Sequence, residues 1–118
     1  MGVKKVIFTG PTPHWTADLP KIIVRRHWSN TPRRTFVGID KQVLEDNLKL
    51  QSGFQNSRSQ VFANIINVFC DQEGCLTYLG DDRESGLTSF DKEHHTPVAS
   101  DYLAKSLLVP LITNSQAD

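Results

Sequence analysis

A short apolar run, Val6-Ile7-Phe8, cut off by Gly10-Pro11-Thr12-Pro13, most constrains what this chain can fold into. Three consecutive apolar residues ended by Gly and Pro read as a buried parallel strand feeding a loop. In sheets of that kind, functional groups sit on loops at the C-terminal strand ends, which places Gly10 to Trp15 where sites occur. A second apolar stretch, Val61 to Phe69 (VFANIINVF), is rich in Val, Ile and Phe and predicts a second buried strand, with a helical start over Arg58 to Ala63 as the alternative.

Helical signals lie between and after these runs. Lys21 to Trp28 reads as a short helix, ended by Asn30-Thr31-Pro32. Asp40 is a suitable N-cap for a helix to Gln51, followed by a polar loop over Ser52 to Ser59. Cys70 to Thr88 reads as a long connection. Thr96-Pro97 opens the clearest helix, with Val98, Ala99, Tyr102, Leu103, Leu107 and Leu108 near helical spacing and Pro110 as its stop. The tail from Asn114 is expected to fray.

The alternation of strand and helix predicts an α/β domain, single over residues 1–118 and partial. Two strands make a poor sheet, so either further strands exist, or the chain belongs to a larger unit or a homo-oligomer. The 118 residues suit one small domain, and 38% hydrophobic content supports a modest core. No apolar run approaches the ~20 residues that span a bilayer, so this segment is expected to make no membrane contact. The N-terminus lacks signal-peptide features, which implies a cytoplasmic location for the chain expressed alone.

Charge is balanced overall but lopsided along the chain. Residues 1–42 carry eight Lys/Arg and two Asp/Glu, and residues 43–118 carry five and eleven, giving +6 and −6. The favoured reading is mutual attraction of the two parts. A site for an anionic or sugar-like ligand around Arg25, Arg26, Arg33 and Arg34 is the sharper alternative. A nucleic-acid surface is not expected without net positive charge.

Chemistry concentrates in Asp91-Lys-Glu-His94-His95-Thr96-Pro97. In a D-x-x-H arrangement the carboxylate orients one imidazole nitrogen, and the other nitrogen can take a proton from a hydroxyl. His94 is the candidate base and Asp91 its orienter, with an i, i+4 pairing of Asp91 and His95 as runner-up. His14, Trp15 and His95 are the candidate substrate contacts, although packing is the favoured role for Trp15 and Trp28. No metal or other cofactor is expected, because the histidines lack ligand spacing. Cys70 and Cys75 are close enough for a disulfide, yet spacing alone leaves reduced thiols open.

The Asp91–Pro97 block, followed by Ala99, Ser100, Tyr102 and Leu103, resembles the last block of the SGNH (GDSL-like) hydrolases. More narrowly it resembles the SGNH domain fused to acyltransferase-3 membrane proteins, which O-acetylate bacterial surface polysaccharides. The strand and loop Val6 to Trp15, the paired-cysteine segment Phe69 to Leu76 and the helix end Leu107-Leu108-Val109-Pro110 also match that subfamily. The resemblance covers nearly the whole chain but only the later half of the family domain. It implies a flavodoxin-like three-layer fold, a saccharide or acyl substrate, a Cys70–Cys75 disulfide and a periplasmic setting. The family's Gly-Asp-Ser nucleophile block and oxyanion-hole residues have no counterpart here; Gly80-Asp81-Asp82 is the nearest string. The expectation is therefore a base dyad without its nucleophile, silent when isolated.

Overall fold

The computed structural model describes residues 6–55, 57 and 59–117. The expected strand start at Val3 and the alternative helical start at Arg58 fall outside them. Two small sheets and a set of helices form a mixed α/β fold. Strand β1 (Val6–Thr9) pairs in parallel with β3 (Gln60–Ala63), Ile7 opposite Val61, and the connection runs through helices α1 (Leu19–Arg25) and α2 (Lys41–Phe54).

β1 is parallel, as the sequence predicts, but it is not buried. Val6 and Phe8 are each 42% exposed, because among the described residues only β3 pairs with it. An aromatic cluster covers part of this small sheet: Phe54 lies 5.1 Å from Phe8 and 5.5 Å from Phe62. The same cluster explains why α2 overruns its expected end at Gln51. Packing of Phe54 carries the helix through Ser52 and Gly53, a case of tertiary contact overriding propensity. At its start, Asp40 Oδ1 accepts from the Gln42 N–H at 3.0 Å, as a capping aspartate should.

The stretch Val61–Phe69 is not one strand. It splits at Asn64 into β3 and helix α3 (Ile65–Phe69), strand first and helix second, opposite to the order of the helical alternative. Asn64 Oδ1 accepts from the Asn67 N–H at 3.0 Å, which caps α3. Two α2 side chains hold that cap in place: Asn47 donates to Asn64 Oδ1 at 3.0 Å, and Asn64 donates to Gln51 at 2.8 Å. A polar residue fixed from a neighbouring helix thus divides an apolar run into two elements.

The expected long connection after Cys70 instead holds a hairpin, β4 (Cys70–Asp71) and β5 (Gly74–Leu76), extended by β2 (Arg34–Thr35) in the antiparallel order β2-β5-β4. Cys70 and Cys75 are direct cross-strand partners and are joined by a disulfide. Successive β5 side chains enter different cores, as the two-residue strand period requires. Cys75 packs with Trp15, Leu19, Ile22 and Ile39, and Leu76 with Ile65, Phe69, Ala99 and Leu103.

The basic and acidic parts of the chain meet here. Arg34 bridges to Asp71 at 3.3 Å and donates to the Phe69 carbonyl at 3.0 Å. Arg33 lies over the Tyr78 ring at 4.3 Å and donates to the Gly80 carbonyl. These two guanidinium groups hold the fold together, which leaves little of them for an anionic or sugar-like ligand.

Thr96 Oγ1 accepts from the Ala99 N–H at 3.3 Å and caps α4 (Pro97–Leu103). Pro110 does not stop the helix. A π-helical stretch, Ala104–Leu108, leads into α5 (Val109–Ala117), so the tail expected to fray is helical in backbone. Widening the turn ahead of Pro110 relieves the clash its ring would make in a regular α-helix.

Candidate functional site

The loop Ser89–His95 is closed at its neck. Ser89 and His95 face each other as an antiparallel bridge, the Thr96 N–H donates to the Thr88 carbonyl at 3.1 Å, and Thr96 Oγ1 donates to the Leu87 carbonyl at 2.6 Å. The buried Thr88 hydroxyl donates in turn to the Leu76 carbonyl at 2.9 Å, which fastens the neck to β5.

Within the loop, Asp91 organises the chain. Its Oδ1 accepts from the N–H groups of Glu93 (2.9 Å) and His94 (2.8 Å), a tight side-chain-to-backbone turn. That turn brings His94 Nδ1 to 2.8 Å from Asp91 Oδ2. The buried Ser89 hydroxyl lies 3.0 Å from the Asp91 carbonyl oxygen and 3.1 Å from Oδ1, and it accepts from the Asp91 N–H at 3.2 Å. Ser89 had no role in the sequence reading; a serine two residues before an aspartate in a loop was its only signal.

The electrostatics follow from these contacts. Backbone N–H groups of Glu93 and His94, then the His94 imidazole, hold the Asp91 carboxyl well below the usual carboxylate range. The Asp91 hydrogen bond and charge raise His94 above its ordinary value. His94 is 80% exposed at its side chain and Asp91 47%, so the dyad stands open to solvent. Among the described residues no hydroxyl hydrogen-bonds to the His94 imidazole.

Asp91 pairs with His94 and not with His95, because residues 91–95 form a turn rather than a helical i, i+4 register. The His95 ring packs on Phe69 with centroids 4.7 Å apart, and burial pushes its pKa down. Its Nε2 is buried and without a partner among the described residues, beside a cavity of about 10 Å³ that Glu93, Ser89 and Trp15 help to line.

The remaining sequence candidates divide. His14 Nε2 lies 2.5 Å from Glu93 Oε2, which places it against the dyad's loop. Trp15 is only 3% exposed and sits in the first core, so it offers no open face for a sugar; its large apolar ring is used in packing. Trp28 packs half-buried against the same core. Gly80-Asp81-Asp82 leads into a turn in which Asp82 Oδ1 accepts from the N–H groups of Glu84 and Ser85, and these bonds lower its pKa. Among the described residues no cluster of three His, Cys, Asp or Glu is placed to hold a metal ion, and no helix is long and apolar enough to cross a membrane.

No protein-family model matches the chain, and no curated protein matches it. One solved structure does: the Salmonella ser. Paratyphi A lipopolysaccharide acetyltransferase periplasmic domain, at 28% identity and a TM-score of 0.71. The match covers 92% of this chain and 42% of that one, so the chain spans less than half the length of that protein. Over nearly all of its own length, then, this chain is similar in fold and sequence to part of a periplasmic acetyltransferase domain.

Proposed function

We propose that the chain supplies the base half of an SGNH-type O-acyltransferase or esterase site acting on acyl groups of bacterial surface polysaccharide. The 2.8 Å contact between Asp91 Oδ2 and His94 Nδ1 carries the reading. With Nδ1 held, Nε2 is the nitrogen left to accept a proton from a serine hydroxyl as it attacks an acyl carbonyl. Asp91 stays ionised throughout, stabilises the imidazolium that forms, and takes no proton itself. The similarity to a lipopolysaccharide acetyltransferase domain supports the substrate class, and the Cys70–Cys75 disulfide supports a periplasmic setting.

These 118 residues contain no Gly-Asp-Ser string. The nucleophile and the oxyanion donors must come from elsewhere, and the isolated chain is catalytically silent. Losing one oxyanion donor alone typically raises a barrier by about 3–4 kcal/mol. The test is a graft: this chain replaces its matched segment in the Salmonella acetyltransferase, and acetyl transfer and p-nitrophenyl acetate hydrolysis are measured. Activity in the graft that His94→Ala abolishes supports the reading. Turnover indifferent to His94→Ala, or hydrolysis by the isolated chain that depends on His94, overturns it.

One observation favours a second reading, a self-associating module. Among the described residues β1 pairs on one edge only, and Val6 and Phe8 are exposed. A clean monomer in light scattering at high concentration would remove that reading.

A further inference from the structure

Three contacts tie the segment after β1 to the dyad's loop. The Trp15 N–H donates to the Lys92 carbonyl at 2.7 Å, the Leu19 N–H donates to the Asp91 carbonyl at 3.2 Å, and His14 Nε2 meets Glu93 Oε2 at 2.5 Å. The segment is itself well anchored. The His14 carbonyl accepts from the Asp40 N–H at 2.8 Å, Thr16 N–H donates to the Gly38 carbonyl at 2.7 Å, and Trp15 and Leu19 are core residues. Two of the three ties are backbone bonds that any sequence at those positions would make. Only the third depends on side chains. It ends on Glu93, whose N–H is one of the two that close on Asp91 Oδ1.

We propose that His14 is a positioning residue for the Asp91–His94 pair: by gripping the Glu93 carboxylate it fixes the turn that aims Asp91 Oδ2 at His94 Nδ1. The pair is 34% and 50% exposed at its side chains, too open to add much stability, so its effect is on orientation. Glu93 joins the two peptide groups whose N–H atoms close on Asp91 Oδ1. The Trp15 bond to the Lys92 carbonyl holds the first, and the His14 grip on the Glu93 side chain is what steadies the second, which carries the His94 N–H. The inference deepens the proposed dyad role and rests on it for its catalytic meaning.

Its test needs neither serine nor substrate. The His94 imidazole is titrated by 15N-detected NMR in the isolated chain, wild type against His14→Ala, His14→Gln and Glu93→Asp. Two mechanisms give opposite signs. If His14 acts only through charge, replacing it can leave the His94 pKa unchanged or raise it, but cannot lower it. If His14 positions the turn, the Asp91 contact loosens and the His94 pKa falls toward its ordinary value. A fall in His14→Ala is the expected result, with the wild-type value retained in His14→Gln, whose amide can still donate to Glu93. An unchanged or raised His94 pKa in folded His14→Ala overturns the proposal. Should that variant fail to fold, Glu93→Asp keeps the charge, shortens the reach, and is read by the same two outcomes. Failure here leaves the graft result standing, and failure of the graft leaves this titration intact.

Discussion

Asp91 Oδ2 stands 2.8 Å from His94 Nδ1, inside a turn whose backbone N–H groups close on the other oxygen of the same carboxylate. The adjacent histidine has the opposite environment, packed on Phe69 and, among the described residues, with no carboxylate partner. Neighbours in sequence should therefore titrate on opposite sides of the ordinary imidazole value of 6.5, His94 above and His95 below. NMR titration with each histidine replaced in turn for assignment checks this. The stability contributions have opposite signs. His94 stabilises the fold fully below its unfolded pKa, and that contribution is lost as pH rises through its folded pKa. His95, kept neutral by burial, costs stability as pH falls below its unfolded value. Coincident titrations would refute the assignment of environments.

Replacing Asp91 with Asn keeps the side chain's shape and removes its charge. The wild-type carboxyl is depressed in the folded state, so its contribution is present above its unfolded pKa of 3.8 and is lost as pH falls toward the folded value. Asp91→Asn should accordingly be less stable than wild type at neutral pH, with the gap closing under acid. Urea midpoints taken between about pH 2 and 6 read this as a shallower pH slope in the variant. The His94 pKa should fall in the same protein. A slope equal to that of wild type would show that Asp91 has no special tie to the folded state.

What the sequence made legible was local chemistry. The caps at Asp40 and Thr96, the parallel strand before Gly10 and the Asp91/His94 spacing are each signalled by residue types within a few positions, and each is present in the structure. Strands β2, β4 and β5 were not legible, because two or three residues cannot show a period of two. Nor was the break at Asn64, which depends on Asn47 from a distant helix. The passage of the last helix through Pro110 depends on a π-turn that no residue type announces. At the site, the roles of Ser89 and of the His14–Glu93 pair were invisible for the same reason: they come from contacts made by folding.

Gly74 tests how tightly the three-stranded sheet is drawn. It sits at φ +135°, and a Cβ there would lie 2.4–2.6 Å from the backbone of Thr35 on β2. Neither the conformation nor the space suits a side chain, and the obstacle is backbone that cannot rotate away. Gly74→Ala should cost about 2–4 kcal/mol in urea unfolding. Gly53 is the control, since it lies in α2 with nothing within 4 Å of its would-be Cβ. Gly53→Ala should stabilise by about 0.5–1 kcal/mol. Equal effects at the two sites would mean that β2 is not held against Gly74 as described.

The Cys70–Cys75 disulfide closes a loop with a sequence separation of five. Chain-entropy arguments assign so short a loop about 2 kcal/mol, the low end of the typical range for a disulfide. The hairpin also holds Cys75 in one core and Leu76 in the other, so its opening would loosen both. Cys75 is fully buried, and a serine there would add an unpaired hydroxyl to the effect. The suitable variant is therefore the double replacement Cys70→Ala with Cys75→Ala, set beside the wild type with and without reductant. Both the reduced protein and the double variant should be less stable by about 2 kcal/mol, with the cooperative transition kept. Complete loss of folding on reduction would mean that the hairpin joins the two cores through the disulfide more than through its strands.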